Sequence, residues 1–261
     1  MNTLMSPAAG AGAFQPGQIN GYDAYYEQFG IHEVGRLGGD VFVNRLETAN
    51  FDPANPGTYA LQTLLHEIGH ALGLDHVGDY NASDDEDGIP GPDPITYAND
   101  AFIFQDSHQY SLMSYFGSRE TGAATYDFAN LAYIYPATPM VHDIKAIQDI
   151  YGAEMTTRTG NTVYGFNSNT DRPGVYDFSI NELPVICIWD AGGNDTLDFS
   201  GWNSNSIIDL KEGASSSGGG SGRPRLEKYR EVFEDPDATE ADVDAYLALR
   251  NSPDGMLYDN I

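Results

Sequence analysis

Three features are scarce in this sequence, and each scarcity excludes a class of protein. The 261 residues include one cysteine, Cys187, so no disulfide can form within the chain. Lysine and arginine total 12 against 39 aspartates and glutamates, which gives a formal net charge of −27. Nucleic acids and anionic membranes bind basic surfaces, so we expect neither as a partner. No apolar run reaches the roughly 20 residues that a membrane-spanning helix needs.

The sequence does contain enough apolar material for a packed core, because 41% of its residues are hydrophobic and 12% are aromatic. Its length predicts one large domain or two small ones. The excess of negative charge favours cation binding, calcium above all, although a solvated acidic surface explains the same composition. Cys187 lies in the strand-like run VICIW and is predicted to be a buried apolar filler.

One short stretch carries most of the chemical information: HEIGHALGLDH, which runs from His66 to His76. Residues four apart share a helix face, so His66 and His70 can point at one metal ion. Glu67 lies beside the first histidine, close to the metal but free to carry a proton. Gly73 can take a positive φ and end the helix, after which His76 can return as a third ligand. Three protein ligands leave one position of a tetrahedral zinc open, as a catalytic site requires.

The flanking residues predict that the motif lies on a helix within residues 59–76. Pro56-Gly57 breaks the preceding chain, and Thr58 can cap a helix that starts there. Apolar residues then recur at spacings of three and four, which predicts a half-buried stripe with the histidines at its edge. The stripe consists of Leu61, Leu64, Leu65, Ile68 and Leu72. A core helix with incidental histidines is the alternative, but it leaves five specified positions in eleven to chance.

The pattern H-E-x-x-H-x-x-G-x-x-H resembles that of the metzincin zinc proteases, and Ser111-Leu112-Met113-Ser114-Tyr115 resembles their Met-turn. The stretches LLHEIGHALGLDHVGDYNA and QYSLMSYF are similar to those of the serralysins in particular. Val77 departs from that family, which usually has proline there, but the change touches no predicted ligand.

The resemblance implies a secreted zinc-dependent endopeptidase that hydrolyses internal peptide bonds of extended polypeptides. It implies zinc on His66, His70 and His76, and a zinc-bound water with Glu67 as the general base. The hydroxyl of Tyr115, the second catalytic residue, would be a displaceable zinc ligand that then hydrogen-bonds the oxyanion.

The implied fold class is α+β: a metzincin catalytic domain, with a mixed sheet and an active-site helix, followed by the start of a parallel β-roll that binds calcium. We expect the catalytic domain over residues 1–153 and the β-roll domain over residues 154–261, with an inserted helical segment at about 223–251. Only 65 residues precede His66, fewer than serralysins have, so we expect a fragment that lacks the start of the catalytic domain and most of the β-roll.

Two later segments, residues 158–169 and 189–199, resemble the entry into the serralysin β-roll, where oxygens of the matching segments hold the first calcium ions. The calcium candidates carried over on this resemblance are Arg158, Gly160, Thr162, Asp190, Gly192, Gly193 and Asp195. Backbone carbonyls suit the arginine, glycine and threonine positions, and the aspartates bring charge. A turn-rich hairpin would explain Gly-Gly-Asn-Asp equally well if it stood alone. The Ser- and Gly-rich residues 215–222 are predicted to be a flexible linker.

We expect polypeptide substrates, a monomeric chain and a proteinaceous inhibitor as a further class of partner. Serralysins leave the cell by a C-terminal signal, so the resemblance implies an extracellular protein although residues 1–21 lack the features of a signal peptide. Two alternatives stay open. One is a calcium-stabilised binding module, or inactive fragment, whose zinc site is intact but idle. The other is a different zinc hydrolase, whose third ligand would be a distant glutamate.

Overall fold

The structure, a computed structural model, describes residues 11–16, 38–43, 55–81, 95–123, 125–127, 132–219, 226, 229–230 and 233–250. These residues fall into two compact units, each built from several stretches of chain. The first unit takes Met1–Ala123, Tyr135–Thr159 and Val185–Ala191. The second takes Ala124–Ile134, Gly160–Pro184 and Gly192–Ile261. The domain boundary expected after residue 153 stays a prediction.

The first unit is organised around helix α1, Tyr59–Ala71, which begins and ends with the residues that the sequence predicts. The hydroxyl of Thr58 accepts a hydrogen bond from the backbone N–H of Leu61, so Thr58 is the N-cap. Gly73 has a φ of 96°, which lets its N–H bond the carbonyl of His70 while the N–H of Leu74 bonds that of Gly69. This pair of bonds is a Schellman ending, and it turns the chain back after the helix.

Other elements of the first unit are short, apart from one helix. Strand β1, Ala11–Ala13, pairs antiparallel with β2, Val41–Val43. Helix α2 spans Tyr97–Asp100 and a 3₁₀ turn spans Ser118–Thr121. Helix α3 spans Val141–Tyr151 and ends at Gly152, whose φ is 85°. Much of the core of the unit comes from the irregular stretch between α2 and the 3₁₀ turn, where Leu112 and Met113 are buried.

The described residues of the second unit include two small sheets, one antiparallel and one parallel. Strand β3, Tyr126–Asp127, pairs antiparallel with β4, Ala132–Tyr133. Strand β5, Val163–Gly165, pairs parallel with β6, Thr196–Asp198, so that Val163 lies opposite Thr196. A parallel pair of this kind is what the start of a parallel β-roll requires. Helix α4, Pro173–Tyr176, follows β5, and helix α5, Glu240–Arg250, comes last.

An aromatic cluster packs together within the second unit. Its rings are those of Phe166, Phe178, Phe199 and Trp202. The rings of Phe178 and Trp202 are stacked with their centroids 4.6 Å apart. Gly219, with a φ of 86°, lies so close to Trp202 that a Cβ there would be 2.6 Å from the indole ring. The small residues of this stretch therefore allow an aromatic side chain to pack against backbone.

One structural expectation was wrong, and two details were not foreseen. Ala11–Ala13 is a strand because Val41–Val43 supplies its hydrogen-bonding partner. The apolar stripe of α1 is half buried, and the histidine face is the more buried one, since His66 is 8% exposed while Ile68 and Leu72 are 38% and 41% exposed. Within the expected linker, Ser217 exchanges two backbone hydrogen bonds with Ile207, of 2.7 and 2.8 Å.

Several other expectations stay predictions. Among the described residues the strands form only two-stranded sheets, so the mixed sheet expected beside the active-site helix is not shown. Residues 17–37 and 82–94 lie outside the described residues. Within the expected helical insert, the described residues Leu226, Tyr229 and Arg230 are helical, as is Glu240–Arg250. No helix within the described part of the chain is long and apolar enough to cross a membrane.

Candidate metal centre

Three histidine side chains of the first unit converge on one point. His66 and His70 project from successive turns of α1, and His76 returns to them after the turn at Gly73. The Nε2 atom of His70 lies 3.1 Å from that of His66 and 3.1 Å from that of His76. The third separation, between His66 and His76, is 3.3 Å. The helix spacing and the glycine turn therefore bring together the three residues that the sequence selects.

The second nitrogen of each ring faces a backbone carbonyl. The Nδ1 atoms of His66, His70 and His76 lie 2.7, 2.8 and 2.8 Å from the carbonyl oxygens of Leu112, Leu74 and Tyr80 respectively. A carbonyl can only accept a hydrogen bond, so each Nδ1 carries the proton and donates it. Each Nε2 is then left with a lone pair, and the three lone pairs face one another.

A zinc ion fits this arrangement. Zinc–nitrogen bonds of about 2.0–2.1 Å at tetrahedral angles place ligand nitrogens about 3.3 Å apart, close to the three separations in the structure. Three neutral lone pairs at this distance repel one another unless a cation lies between them. Within the described residues, these histidines form the one group of three or more histidine, cysteine or acidic side chains placed to hold a metal ion.

The protonation of the histidines also suits a metal. Burial, followed by the charge on His70, lowers the pKa of His66 to about 3. The same two causes lower the pKa of His76 to about 4, and burial lowers the pKa of His70. All three rings are therefore neutral near pH 7, and a metal ion need not displace protons from them.

Glu67 is placed beside the histidines, as the sequence predicts. It follows His66 on the buried face of α1 and is 8% exposed. Burial raises the pKa of its carboxyl to about 7. A carboxyl with a pKa near 7 can gain and lose a proton near neutral pH. A cation on the histidines would stabilise its ionised form and lower this pKa.

Met113 supports α1 directly, and the sequence holds a signal for this contact. Met113 is 3% exposed, and a Cβ on Gly69 would lie 2.5 Å from its sulfur atom. Glycine inside a helix costs about 1 kcal/mol relative to alanine, so Gly69 needs a structural reason. The reason is that the methionine sulfur occupies the space one residue before His70.

Tyr115 lies against the histidines through its ring. The ring centroid is 4.5 Å from that of His76 and 6.1 Å from that of His66. On its other side the ring is 4.9 Å from that of Tyr80. The structure thus brings this predicted catalytic residue to the site.

Two supporting residues were missed by the sequence reasoning. Tyr80 is 2% exposed, its ring stacks on His76, and its hydroxyl donates a 2.8 Å hydrogen bond to the buried carboxylate of Asp106. Asp143, on α3, is 4% exposed and accepts hydrogen bonds from the segment that contains Met113. The sequence gives one signal for these contacts. Asp106 and Asp143 are acidic residues in a loop and a helix, where such side chains are normally exposed to water.

The second unit brings four of the calcium candidates together. The backbone N–H of Thr162 donates to Oδ1 of Asp195 at 2.9 Å, and its hydroxyl donates to the carbonyl of Gly160 at 3.2 Å. Gly193 has a φ of 135°, and a Cβ there would lie 2.2 Å from the oxygen of Gly160 and 2.8 Å from Oδ1 of Asp195. Two oxygens thus crowd one glycine, a cradle with the oxygen donors that calcium prefers.

The remaining calcium candidates are spread over both units. Gly192 belongs to the second unit and has a φ of 157°. Arg158 and Asp190 belong to the first. The guanidinium of Arg158 donates to the carbonyl of Trp189, and its backbone has a φ of 51°, uncommon for a residue other than glycine. Calcium binding by these residues stays a prediction.

Known proteins match much of the chain. The family model described as Peptidase M10 serralysin C terminal matches residues 153–223. Serralysin C of Dickeya chrysanthemi is 49% identical over 168 residues, which are 64% of this chain and 32% of that protein. Serralysin of Photorhabdus sp. (strain Az29) is 48% identical over 162 residues, 62% of this chain and 31% of that protein. The matched part of the chain, about two thirds of it, is of the serralysin type.

The match to other serralysins has the same extent. The serralysin of Proteus mirabilis is 45% identical over 164 residues, or 63% of this chain and 30% of its own length. This serralysin-type chain therefore spans about a third of the length of the curated relatives it matches. The resemblance stated on the zinc motif and the Met-turn is confirmed at the level of the family, and the C-terminal match covers the segment that contains the parallel pair β5–β6.

Proposed function

We propose that this chain is a secreted zinc-dependent endopeptidase that hydrolyses internal peptide bonds of extended polypeptides. The observation that carries the proposal is the convergence of three Nε2 lone pairs, 3.1–3.3 Å apart, with each ring fixed by a backbone carbonyl. Its similarity to serralysins supports the same reaction class, since serralysins are zinc proteases. Polypeptides are the proposed substrates, and zinc and calcium the proposed metals.

The histidines hold the metal and Glu67 handles the proton. Zinc bound to His66, His70 and His76 would supply a Lewis acid that polarises the scissile carbonyl and acidifies a water molecule. The carboxylate of Glu67 accepts a proton from the attacking water and passes it to the nitrogen of the leaving amine. The oxygen of the water is retained on the carbonyl carbon, so the products are a carboxylic acid and an amine.

Tyr115 and Met113 have different tasks in this proposal. Tyr115 lies with its ring against His76, from where its hydroxyl hydrogen-bonds the oxyanion that forms on the scissile carbonyl. Met113 contacts α1 at Gly69 and keeps the helix in place, without a part in proton transfer. In the second unit, the oxygens around Gly193 are the proposed place for calcium, which would stabilise the unit.

The test is zinc content measured together with cleavage of casein by this chain. We expect one zinc per chain and cleavage that a zinc chelator stops and added zinc restores. Glu67→Ala should keep the zinc but lower the turnover rate by about 10²-fold or more, the contribution of a general base. Glu182→Ala, which removes an exposed glutamate of the second unit, is the matched control and should keep full activity.

Each other outcome contradicts a different part of the proposal. Folded protein without zinc would overturn the metal centre itself. Zinc without cleavage would overturn the protease and favour the idle binding module that the sequence leaves open. Full activity in Glu67→Ala would show that another group accepts the proton.

A further inference from the structure

A chain of hydrogen bonds leads away from the metal centre through the polypeptide backbone. The Nδ1–H of His66 donates to the carbonyl oxygen of Leu112 at 2.7 Å. The same peptide group continues on its other side, where the N–H of Met113 donates to the hydroxyl oxygen of Ser111 at 3.0 Å. The hydroxyl of Ser111 then donates to Oδ1 of Asp143 at 2.6 Å. Every link points its proton toward the carboxylate.

The carboxylate at the end of this chain is held firmly and kept from water. Asp143 is 4% exposed, and its other oxygen, Oδ2, accepts the backbone N–H groups of Leu112 and Met140 at 2.8 Å each. Ser111, which links it to the peptide, is 2% exposed. Interactions of a negative charge are weakly screened in such surroundings, because little water separates the groups.

Hydrogen bonds that are aligned in this way strengthen one another. A carboxylate draws the proton of the Ser111 hydroxyl, which makes the hydroxyl oxygen a better acceptor for the N–H of Met113. Electron density in that peptide then shifts to the carbonyl of Leu112, which accepts more strongly from Nδ1 of His66. A histidine whose Nδ1–H is strongly bonded presents a more basic Nε2 to a metal ion, as in sites where a carboxylate contacts the ring directly.

We infer that Asp143 is a positioning residue for the metal centre, which strengthens and orients His66 as a zinc ligand through Ser111 and the Leu112–Met113 peptide. This inference rests on the zinc site of the proposed function but not on proteolysis. Asp143 also receives the N–H of Met140, so part of its role is to cap α3. An effect on metal affinity must therefore be separated from an effect on folding.

The chain offers a variant pair that makes this separation. Ser111→Ala breaks the relay but leaves both backbone bonds to Oδ2 of Asp143. Ser107→Ala is its matched control, because Ser107 is likewise fully buried and likewise accepts a backbone N–H from two residues on, that of Gln109. Each substitution orphans one equivalent N–H, so the two should destabilise the metal-free protein by similar amounts.

The measurements are zinc affinity, by competition with a chromogenic chelator, and the visible absorption of the cobalt-substituted protein. We expect Ser111→Ala to weaken zinc binding about 10-fold and Asp143→Asn about 10- to 100-fold, with shifted cobalt bands in both. Ser107→Ala should leave the affinity and the cobalt spectrum unchanged. The thermal midpoint of each metal-free variant shows how much of its change is structural.

Two results would overturn the inference. One is an unchanged zinc affinity in Ser111→Ala, and the other is an equal loss of affinity in Ser107→Ala. If Asp143→Asn does not fold, the serine pair decides alone. A failure of the proposed function looks different: the unaltered chain would then bind no zinc, or would bind it with normal affinity and cleave nothing.

Discussion

The two candidate metal regions of this molecule are built by different means. In the first unit the donors are nitrogen atoms of three side chains, and each side chain is fixed by a carbonyl on its far side. In the second unit the donors around Gly193 are a backbone carbonyl and one carboxylate, brought together by the conformation of a glycine. The first region depends on which residues are present, and the second depends on the path of the backbone.

This difference decides how each region responds to substitution. Removing one side chain should destroy the first region while its backbone remains in place. Adding one methyl group should destroy the second region while every proposed donor remains in the chain. Substitutions in the two regions test that contrast.

The largest effect is expected for His70→Ala. His70 is the central ligand, since its Nε2 lies 3.1 Å from both of the other Nε2 atoms. Two ligands cannot replace three, so we expect the zinc content of the purified protein to fall from one per chain to essentially none. Elemental analysis measures this, with His142→Ala as the control, because His142 stacks on Tyr110 away from the three histidines. Retention of stoichiometric zinc in His70→Ala would contradict the ligand assignment.

The convergence of the three histidines could be predicted from the sequence because its information is local. His66, His70 and Gly73 act through helix spacing and one positive φ, and both are properties of residues within a few positions of each other. Tyr80 and Asp143 could not be predicted, because their roles arise from tertiary contacts with residues 26 to 32 positions away. A buried acidic residue has no local pattern, and its sequence context resembles that of an exposed one.

The predicted linker at residues 215–222 shows the opposite error. Serine and glycine favour a flexible chain when nothing packs on them, and the composition alone suggests that. In the structure Ser217 pairs with Ile207, and Gly219 is small because Trp202 lies against it. The same residue types serve flexibility and close packing, and only the neighbouring aromatic ring distinguishes the two.

The second prediction concerns Gly193→Ala in the second unit. A Cβ there would lie 2.2 Å from the carbonyl oxygen of Gly160, and the φ of 135° is unfavourable for alanine. Overlap and backbone strain together should cost roughly 2–4 kcal/mol, and any stabilisation by calcium should be lost. Calorimetry of the full chain with and without calcium measures both effects.

Gly160→Ala is the matched control for this substitution. A Cβ on Gly160 would meet no atom within 4 Å, so the variant should unfold at nearly the same temperature as the unaltered chain. If the two variants had equal stability and equal calcium response, the crowding of oxygens at Gly193 would not be what shapes this region. If calcium stabilised neither variant nor the unaltered chain, the calcium proposal would fail while the steric prediction stood.

The smallest effect is expected when the pH is lowered. The resulting loss of stability should be confined to the first unit. All six histidines lie in stretches that belong to this unit, and the second unit has none. His108 is 1% exposed and takes no part in the proposed metal centre, and burial lowers the pKa of its ring to about 4. The unfolded chain takes up this proton below about pH 6.5, whereas the folded chain keeps the ring neutral until about pH 4.

The free energy of unfolding should therefore fall as the pH drops from about 6.5 to 4, by at most about 3 kcal/mol from His108. In metal-free protein His66 and His76 add to the same trend, so the comparison must be with His108→Gln, which removes one titrating ring and leaves the others. We expect the free energy of unfolding, measured with urea, to fall more over this range for the unaltered chain than for the variant. Parallel losses in the two proteins would mean that burial does not lower the pKa of His108 in the folded chain.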